Sequence, residues 1–140
     1  VSNSHKHHPH PLPCVRAIIR DDDGRVLLLQ RRAGSIGGGG WCLPGGKIDL
    51  GQSPEQAVAA EVKEETNLEV DDARLLFVRD SPPSIDGTIH VLELVYECDA
   101  SGNLNINDES DDYAWQELDE VSTKNVVFGH EQIIARLTED

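Results

Sequence analysis

One stretch of this 140-residue chain, Gly45–Leu68, GGKIDLGQSPEQAVAAEVKEETNL, constrains the fold more than any other segment. Ser53, Pro54 and Gln56 form a capping-box pattern, with proline at the first helical position, where its missing N–H costs nothing. Good helix formers follow, AVAAEVKEE, and Asn67 suits the left-handed residue that ends a helix. Val58 and Val62 mark a buried stripe. A turn of ~100° per residue sets Glu65 beside that stripe and Glu61 and Glu64 further round, so three acids share one rim. Like charges at this spacing repel by roughly 0.2–0.5 kcal/mol per pair. A divalent cation would reverse the sign. Mg²⁺ is held by one or two carboxylates, several waters and phosphate oxygens, so the segment suits Mg²⁺ or Mn²⁺ held against a phosphorylated ligand. The same charge pattern also suits a solvated acidic face.

The chain has the length of one domain with a single core. Its net charge of −14 argues against nonspecific nucleic-acid binding and against anionic membranes. No apolar run approaches the ~20 residues of a membrane span, and no signal-peptide pattern is visible. Cys14, Cys42 and Cys98 lie in apolar segments and read as buried reduced thiols. A cytoplasmic protein, monomeric or homodimeric, is expected.

Residues 1–11, with His5, His7, His8 and His10 among prolines and polar residues, read as a disordered His-rich arm, and 12–140 as the domain. Residues 12–20 and RVLLLQRR (25–32) are expected to pair as a hairpin across DDDG. The run GSIGGGG (34–40) reads as a mobile loop, and Trp41 opens a short strand before the Pro44-Gly45-Gly46 turn. Residues 73–80 and 88–100 read as two antiparallel strands, and 113–118 as another. A closing helix is expected over 129–138, with Ile133, Ile134 and Leu137 inward. Helices on both faces of the sheets give an α/β class, a three-layer α/β/α sandwich.

Around the acidic helix the chain resembles the Nudix hydrolases, of MutT-like type. Gly46, Glu61, Val62, Glu64, Glu65 and Leu68 stand at the positions of the Nudix signature. Gln52, Ala60 and Asn67 depart from it, replacing a Glu, an Arg and a Gly. The joint loss of that Glu and Arg is coherent, since losing one alone would strand a charge. VLLLQRR, the step to Gly45, GGKI, DDYAWQELDEV and EQIIARL extend the resemblance over most of residues 14–137.

That resemblance implies a Nudix fold with a mixed sheet and metal-dependent hydrolysis of a nucleoside diphosphate linked to another group. Water attacks a phosphorus and the bond to a bridging oxygen breaks. By resemblance Glu61, Glu64 and Glu65 are the catalytic acids and the metal ligands, with the Gly45 carbonyl. A further acid comes from outside the box, Glu97 or its rival Glu109. Arg31, Lys47 and Gly46 are placed at the substrate phosphates, where Arg offers a planar fork and Lys a point charge.

His130 stands where MutT-type enzymes place an Asn that reads oxidised guanine, and Pro82 and Pro83 lie where ADP-ribose pyrophosphatases of the family carry a proline. A nucleotide sugar or ADP-ribose is the slightly favoured substrate class. The alternatives are MutT-type triphosphate cleavage and a non-catalytic domain that binds nucleotide metabolites.

Overall fold

A computed structural model describes residues 10–81 and 90–138 of the chain. The His-rich arm, apart from its last two residues, and Pro82 and Pro83 lie outside the described residues. The elements in order are β1 (Leu12–Ile19), β2 (Val26–Arg31), β3 (Trp41–Cys42), β4 (Gly45–Lys47), α1 (Pro54–Thr66), β5 (Glu69–Ser81), β6 (Val91–Ser101), β7 (Ser110–Gln116), a 3₁₀ helix (Leu118–Thr123) and α2 (His130–Arg136).

Two sheets form, ordered β4-β1-β6-β5 and β3-β2-β7. The first is mixed: β1 runs parallel to β6 and antiparallel to β4. The expected β1–β2 hairpin is corrected here. The two strands fall in different sheets, joined by one isolated bridge, Arg20 to Val26. The reason is burial. From Val15 to Ile19 and from Val26 to Leu29 both strands hide apolar side chains on both faces. Strands of that kind are central ones, with a layer on each side.

The alternation sorts those side chains into two cores. Val15, Ala17, Ile19, Leu27 and Leu29 pack with Val58 and Val62 of α1 and with Tyr96. Ile18, Val26 and Leu28 pack on the other side with Leu43, Val121, Ile133 and Ile134. The result is the expected three-layer arrangement, with α1 on one face and α2 with the 3₁₀ helix on the other. The 3₁₀ helix was not anticipated from the sequence. It is one short run whose only buried residue is Val121, and so carries no periodic signal.

Helix α1 begins and ends as its sequence implies. Ser53 accepts from the Gln56 N–H while the Gln56 side chain accepts from the Ser53 N–H, a closed capping box. Asn67 takes a left-handed conformation at φ 66° and its N–H donates to the Lys63 carbonyl. The glycine run 34–40 is wound into hydrogen-bonded turns, among them Gly38 N–H to Ser35 O and Gly40 N–H to Gly37 O, and Gly40 O accepts from the Arg31 N–H.

Candidate active site

The acidic rim of α1 meets the Gly45-Gly46 strand at very close range. Gly46 lies against the Glu61 carboxyl group, so that a Cβ there would stand 2.7 Å from Glu61 Cδ. Gly45 adopts φ 154°, and a Cβ on it would come within 2.0 Å of the Val15 carbonyl oxygen. Only glycine fits at 45, where the obstacle is backbone; a Cβ at 46 would press on the end of the Glu61 side chain and push the carboxyl aside. The gain is a backbone contact, since the Gly45 N–H donates to Glu65 Oε1 at 2.9 Å. The strand register sets Gly45 opposite Arg16 and Gly46 opposite Val15, which fixes the turn against β1.

These carboxylates are electrostatically uncomfortable on their own. Burial, with Glu64, Glu109 and Asp49 nearby, pushes Glu61 up to about 7. Burial pushes Glu65 up to about 8, with Glu61 and Glu109 adding to it while the Gly45 N–H and Arg16 oppose. Glu64 is exposed on the same rim. The arrangement fits a divalent cation, which would favour the charged forms that burial and mutual repulsion resist. Among the described residues no three acids, histidines or cysteines close into a ready cage.

A pH dependence follows from these two groups. Each carboxyl group sits above its ordinary value in the fold, so its contribution is fully present below the ordinary carboxylate pKa. That contribution is lost as pH rises through about 7 and about 8. The metal-free protein should therefore melt at lower temperature at pH 8.5 than at pH 6. The increment in melting temperature from added Mg²⁺ should grow across the same interval. Thermal melts in Mg²⁺ and in EDTA test this, and an increment that does not change with pH would contradict it.

A narrow cleft opens beside Glu65, between the β1–β4 edge and β2–β3, and is lined by Arg16, Arg31, Gly45, Glu65, Glu109 and Phe128. Arg31 Nε donates to the Ile36 carbonyl, and its guanidinium lies 5.3 Å from the centre of the half-exposed Phe128 ring. Glu109 is exposed; its N–H donates to Asn107 Oδ1, and its Oε1 accepts from the Asn107 amide. Lys47 is exposed at the end of β4, across from Cys14. A roomier cavity of about 380 Å³ lies between the 3₁₀ helix and α2, and the acids of α1 do not line it.

Two expected site residues are placed elsewhere. Glu97 sits in β6 opposite Ile18 and is ion-paired to Arg20 at 2.9 Å, whereas Glu109 lines the cleft with Glu65. His130 is fully buried. Its Nδ1 accepts from the Leu43 N–H at 3.1 Å, which makes Nε2 the protonated nitrogen, 3.1 Å from Glu93 Oε2. Both ring nitrogens are occupied, so His130 presents no edge to a ligand and joins α2 to the sheet.

Gln52 supports the turn before the helix, its Oε1 accepting from the Asp49 N–H at 2.9 Å. The change from Glu at that position keeps a hydrogen-bond acceptor without the charge.

Arg16, Glu93 and Phe128 were not identified from the sequence. A signal for two of them was present: Arg16 in CVRAII and Glu93 in VLELVY interrupt apolar runs. A charge in such a run is paired when it is buried. Glu93 is 2% exposed and takes Arg16 Nε at 2.9 Å, Arg79 Nη1 at 2.5 Å and His130 Nε2. Burial alone would raise its carboxyl pKa, but the hydrogen bonds from His130 and Arg16 outweigh that and hold it well below the ordinary range.

Comparison with known proteins bears on the same segments. The model of the NUDIX domain family matches residues 10–137. An ADP-ribose pyrophosphatase of Methanocaldococcus jannaschii is 34% identical over 126 residues, spanning 89% of this chain and 72% of that protein. The crystal structure of a MutT NUDIX hydrolase from Burkholderia pseudomallei superimposes with a TM-score of 0.79 at 30% identity, covering 92% of this chain and 98% of the other. The NUDIX domain of Shewanella oneidensis NrtR, crystallised with ADP ribose, gives a TM-score of 0.78 at 27% identity, over 96% of this chain and 90% of that one.

Proposed function

The chain belongs to the NUDIX family and is a Nudix-type pyrophosphohydrolase; on that premise we propose that it cleaves the diphosphate of ADP-ribose or a nucleotide sugar with Mg²⁺ or Mn²⁺. One observation carries the reading. Glu65, held by the Gly45 N–H, lines a cleft that also holds guanidinium groups, and the Glu61 carboxyl lies next to it against Gly46. A site with both signs of charge suits a metal–diphosphate pair. The relative named for ADP-ribose hydrolysis and the neighbour crystallised with ADP ribose favour that substrate class.

Glu61, Glu64 and Glu65 would hold the cation, with the Gly45 carbonyl at its side and Glu109 as the acid from outside the helix. A cation held there would supply charge to offset the bridging phosphates and would lower the pKa of the attacking water. Arg31 and Lys47 hold the phosphate oxygens through charge-assisted hydrogen bonds. A carboxylate of the rim takes the proton of the attacking water.

A substrate panel in Mg²⁺ with product identification tests this reading. ADP-ribose should give AMP and ribose 5-phosphate. Nucleoside triphosphates turned over faster, with release of pyrophosphate, would favour the triphosphate reading instead.

The base should be read weakly and the diphosphate strongly. The chain has only two Trp, two Tyr and two Phe, so aromatic platforms are few. Changing the base across ADP-, GDP-, CDP- and UDP-linked substrates should alter kcat/KM by about tenfold, or ~1.4 kcal/mol. Arg31→Ala and Lys47→Ala should each cost more than that. Discrimination between bases of about a thousandfold would contradict it, since that requires a buried hydrogen-bonding pocket.

A further inference from the structure

Arg16 is the cation closest to the chemistry by connection. It faces Gly45 across the β1–β4 pair, and its Cδ would lie 3.0 Å from a Cβ on Gly45, whose N–H holds Glu65. Its Nε is fixed on buried Glu93. Glu93 is fixed in turn by Arg79, which also reaches Gln132 Oε1 at 3.0 Å and the Phe128 carbonyl at 3.3 Å. Among the described residues the two terminal nitrogens of Arg16 make no hydrogen bond, and no buried polar side-chain atom lacks a partner. Those nitrogens are therefore reached by solvent, and Arg16 lines the cleft with Glu65, Arg31 and Glu109.

A guanidinium held at one edge and open at the other is oriented without losing its remaining donors. Its planar donor edge matches two oxygens of a phosphate, which an ammonium cannot do. A counter-ion for Glu65 alone would bond that carboxylate, yet Arg16 pairs with Glu93 and Glu65 Oε1 takes the Gly45 N–H.

We infer that Arg16 is a substrate-binding residue whose terminal nitrogens take non-bridging oxygens of the substrate diphosphate, and that Glu93 is the positioning residue that aims it. The inference rests on the reading of the cleft as a diphosphate site. It assigns a fixed, inward cation to that site beside Arg31 and Lys47.

The test compares wild type, Arg16→Ala, Arg16→Lys and Glu93→Gln. The first readout is calorimetric affinity for an α,β-methylene ADP analogue in Mg²⁺, which needs no turnover. The second is kcat/KM on ADP-ribose, with and without added guanidinium. The third is Mn²⁺ affinity without nucleotide.

Arg16→Ala should bind the analogue at least ~10-fold more weakly and lose about 100-fold in kcat/KM, the scale of removing one charge-stabilising donor. Guanidinium should restore part of that loss, and Mn²⁺ affinity should change far less than analogue affinity. Arg16→Lys keeps the charge without the fork and should remain impaired. Glu93→Gln should raise KM for ADP-ribose and gain nothing from guanidinium.

Wild-type analogue affinity and kcat/KM in folded Arg16→Ala would overturn the inference. So would a loss that guanidinium does not relieve and that Mn²⁺ affinity shares, since that pattern marks a structural role. A wild type that neither binds the analogue nor cleaves any substrate of the panel would overturn the diphosphate reading itself, and this inference with it.

Discussion

Glu65→Gln is expected to lower kcat by at least ~100-fold, the scale of losing a group that stabilises transition-state charge. The substitution keeps shape and keeps an acceptor for the Gly45 N–H, so the turn is preserved. It removes the charge. In the metal-free fold Glu65 is already pushed up to about 8 by burial, with Glu61 and Glu109 adding to it. The amide relieves that repulsion, so metal-free Glu65→Gln should be at least as stable as wild type at pH 8.5 while being nearly inactive. Stability and activity moving in opposite directions is what a functional carboxylate in an unfavourable place requires. Glu109→Gln should cost more activity than Glu97→Gln, because Glu109 lines the cleft and Glu97 is paired with Arg20. Steady-state rates with thermal melts decide it. Near-wild-type turnover in Glu65→Gln, or full activity in EDTA, would rule out the metal site.

Glu93→Ala is expected to be the most damaging single change to stability, at about 3–5 kcal/mol. Glu93 is buried and partners Arg16, Arg79 and His130, which tie β1, β5 and α2 to β6. Alanine would leave two guanidinium groups without their carboxylate, and an uncompensated buried charge is costlier than the intact pair is favourable. For a chain of this size the melting temperature should fall by on the order of 10 °C.

The acid side of the pH profile should change with it. Both partners sit low in the fold: burial lowers His130 despite the pull of Glu93, and the Glu93 carboxyl is held below its ordinary range. Their contributions are present above the ordinary His and Glu values, about 6.5 and 4.3, and are lost as pH falls through the lower folded values. These two contributions should therefore fall below about 6.5 and again below about 4.3, against the opposite trend that Glu61 and Glu65 give the metal-free protein down to the ordinary carboxylate range. Glu93→Ala should lack the second loss. Urea unfolding across pH measures both effects, and a Glu93→Ala protein as stable as wild type at pH 7 would contradict the network's role.

What could be read from sequence was whatever short range decides. The Ser53–Gln56 capping box and the left-handed Asn67 depend on neighbours within a turn, and both are present as read. The two-glycine turn and the three acids sit on one contiguous segment, so their convergence was legible too. Strand partnership was not. RVLLLQRR and the first strand look like a hairpin across DDDG, and Asp21 does cap that turn through the Arg25 N–H. Burial on both faces, a property of the whole sheet, sends the strands to different partners. The Arg16–Glu93–Arg79–His130 group was hidden for a similar reason. Arg16 and Glu93 are 77 residues apart, and nothing local links them. His130 could be placed at the start of the last helix by sequence, but its burial against Leu43 and Glu93 depends on how α2 packs.

Mn²⁺ titration followed by electron paramagnetic resonance tests the central claim most directly, because it reads the metal at the acidic edge of α1 without reference to any substrate. Wild type should bind Mn²⁺ more tightly as pH rises from 6 to 8.5, since Glu61 and Glu65 shed their protons over that range. Glu61→Gln and Glu65→Gln should each weaken binding by at least ~10-fold, the scale on which even outer-shell partners of a metal site act. Unchanged Mn²⁺ affinity in both variants, or a larger loss in Glu97→Gln than in either, would show that the ion is held elsewhere and that the rim of α1 is an acidic surface and no more.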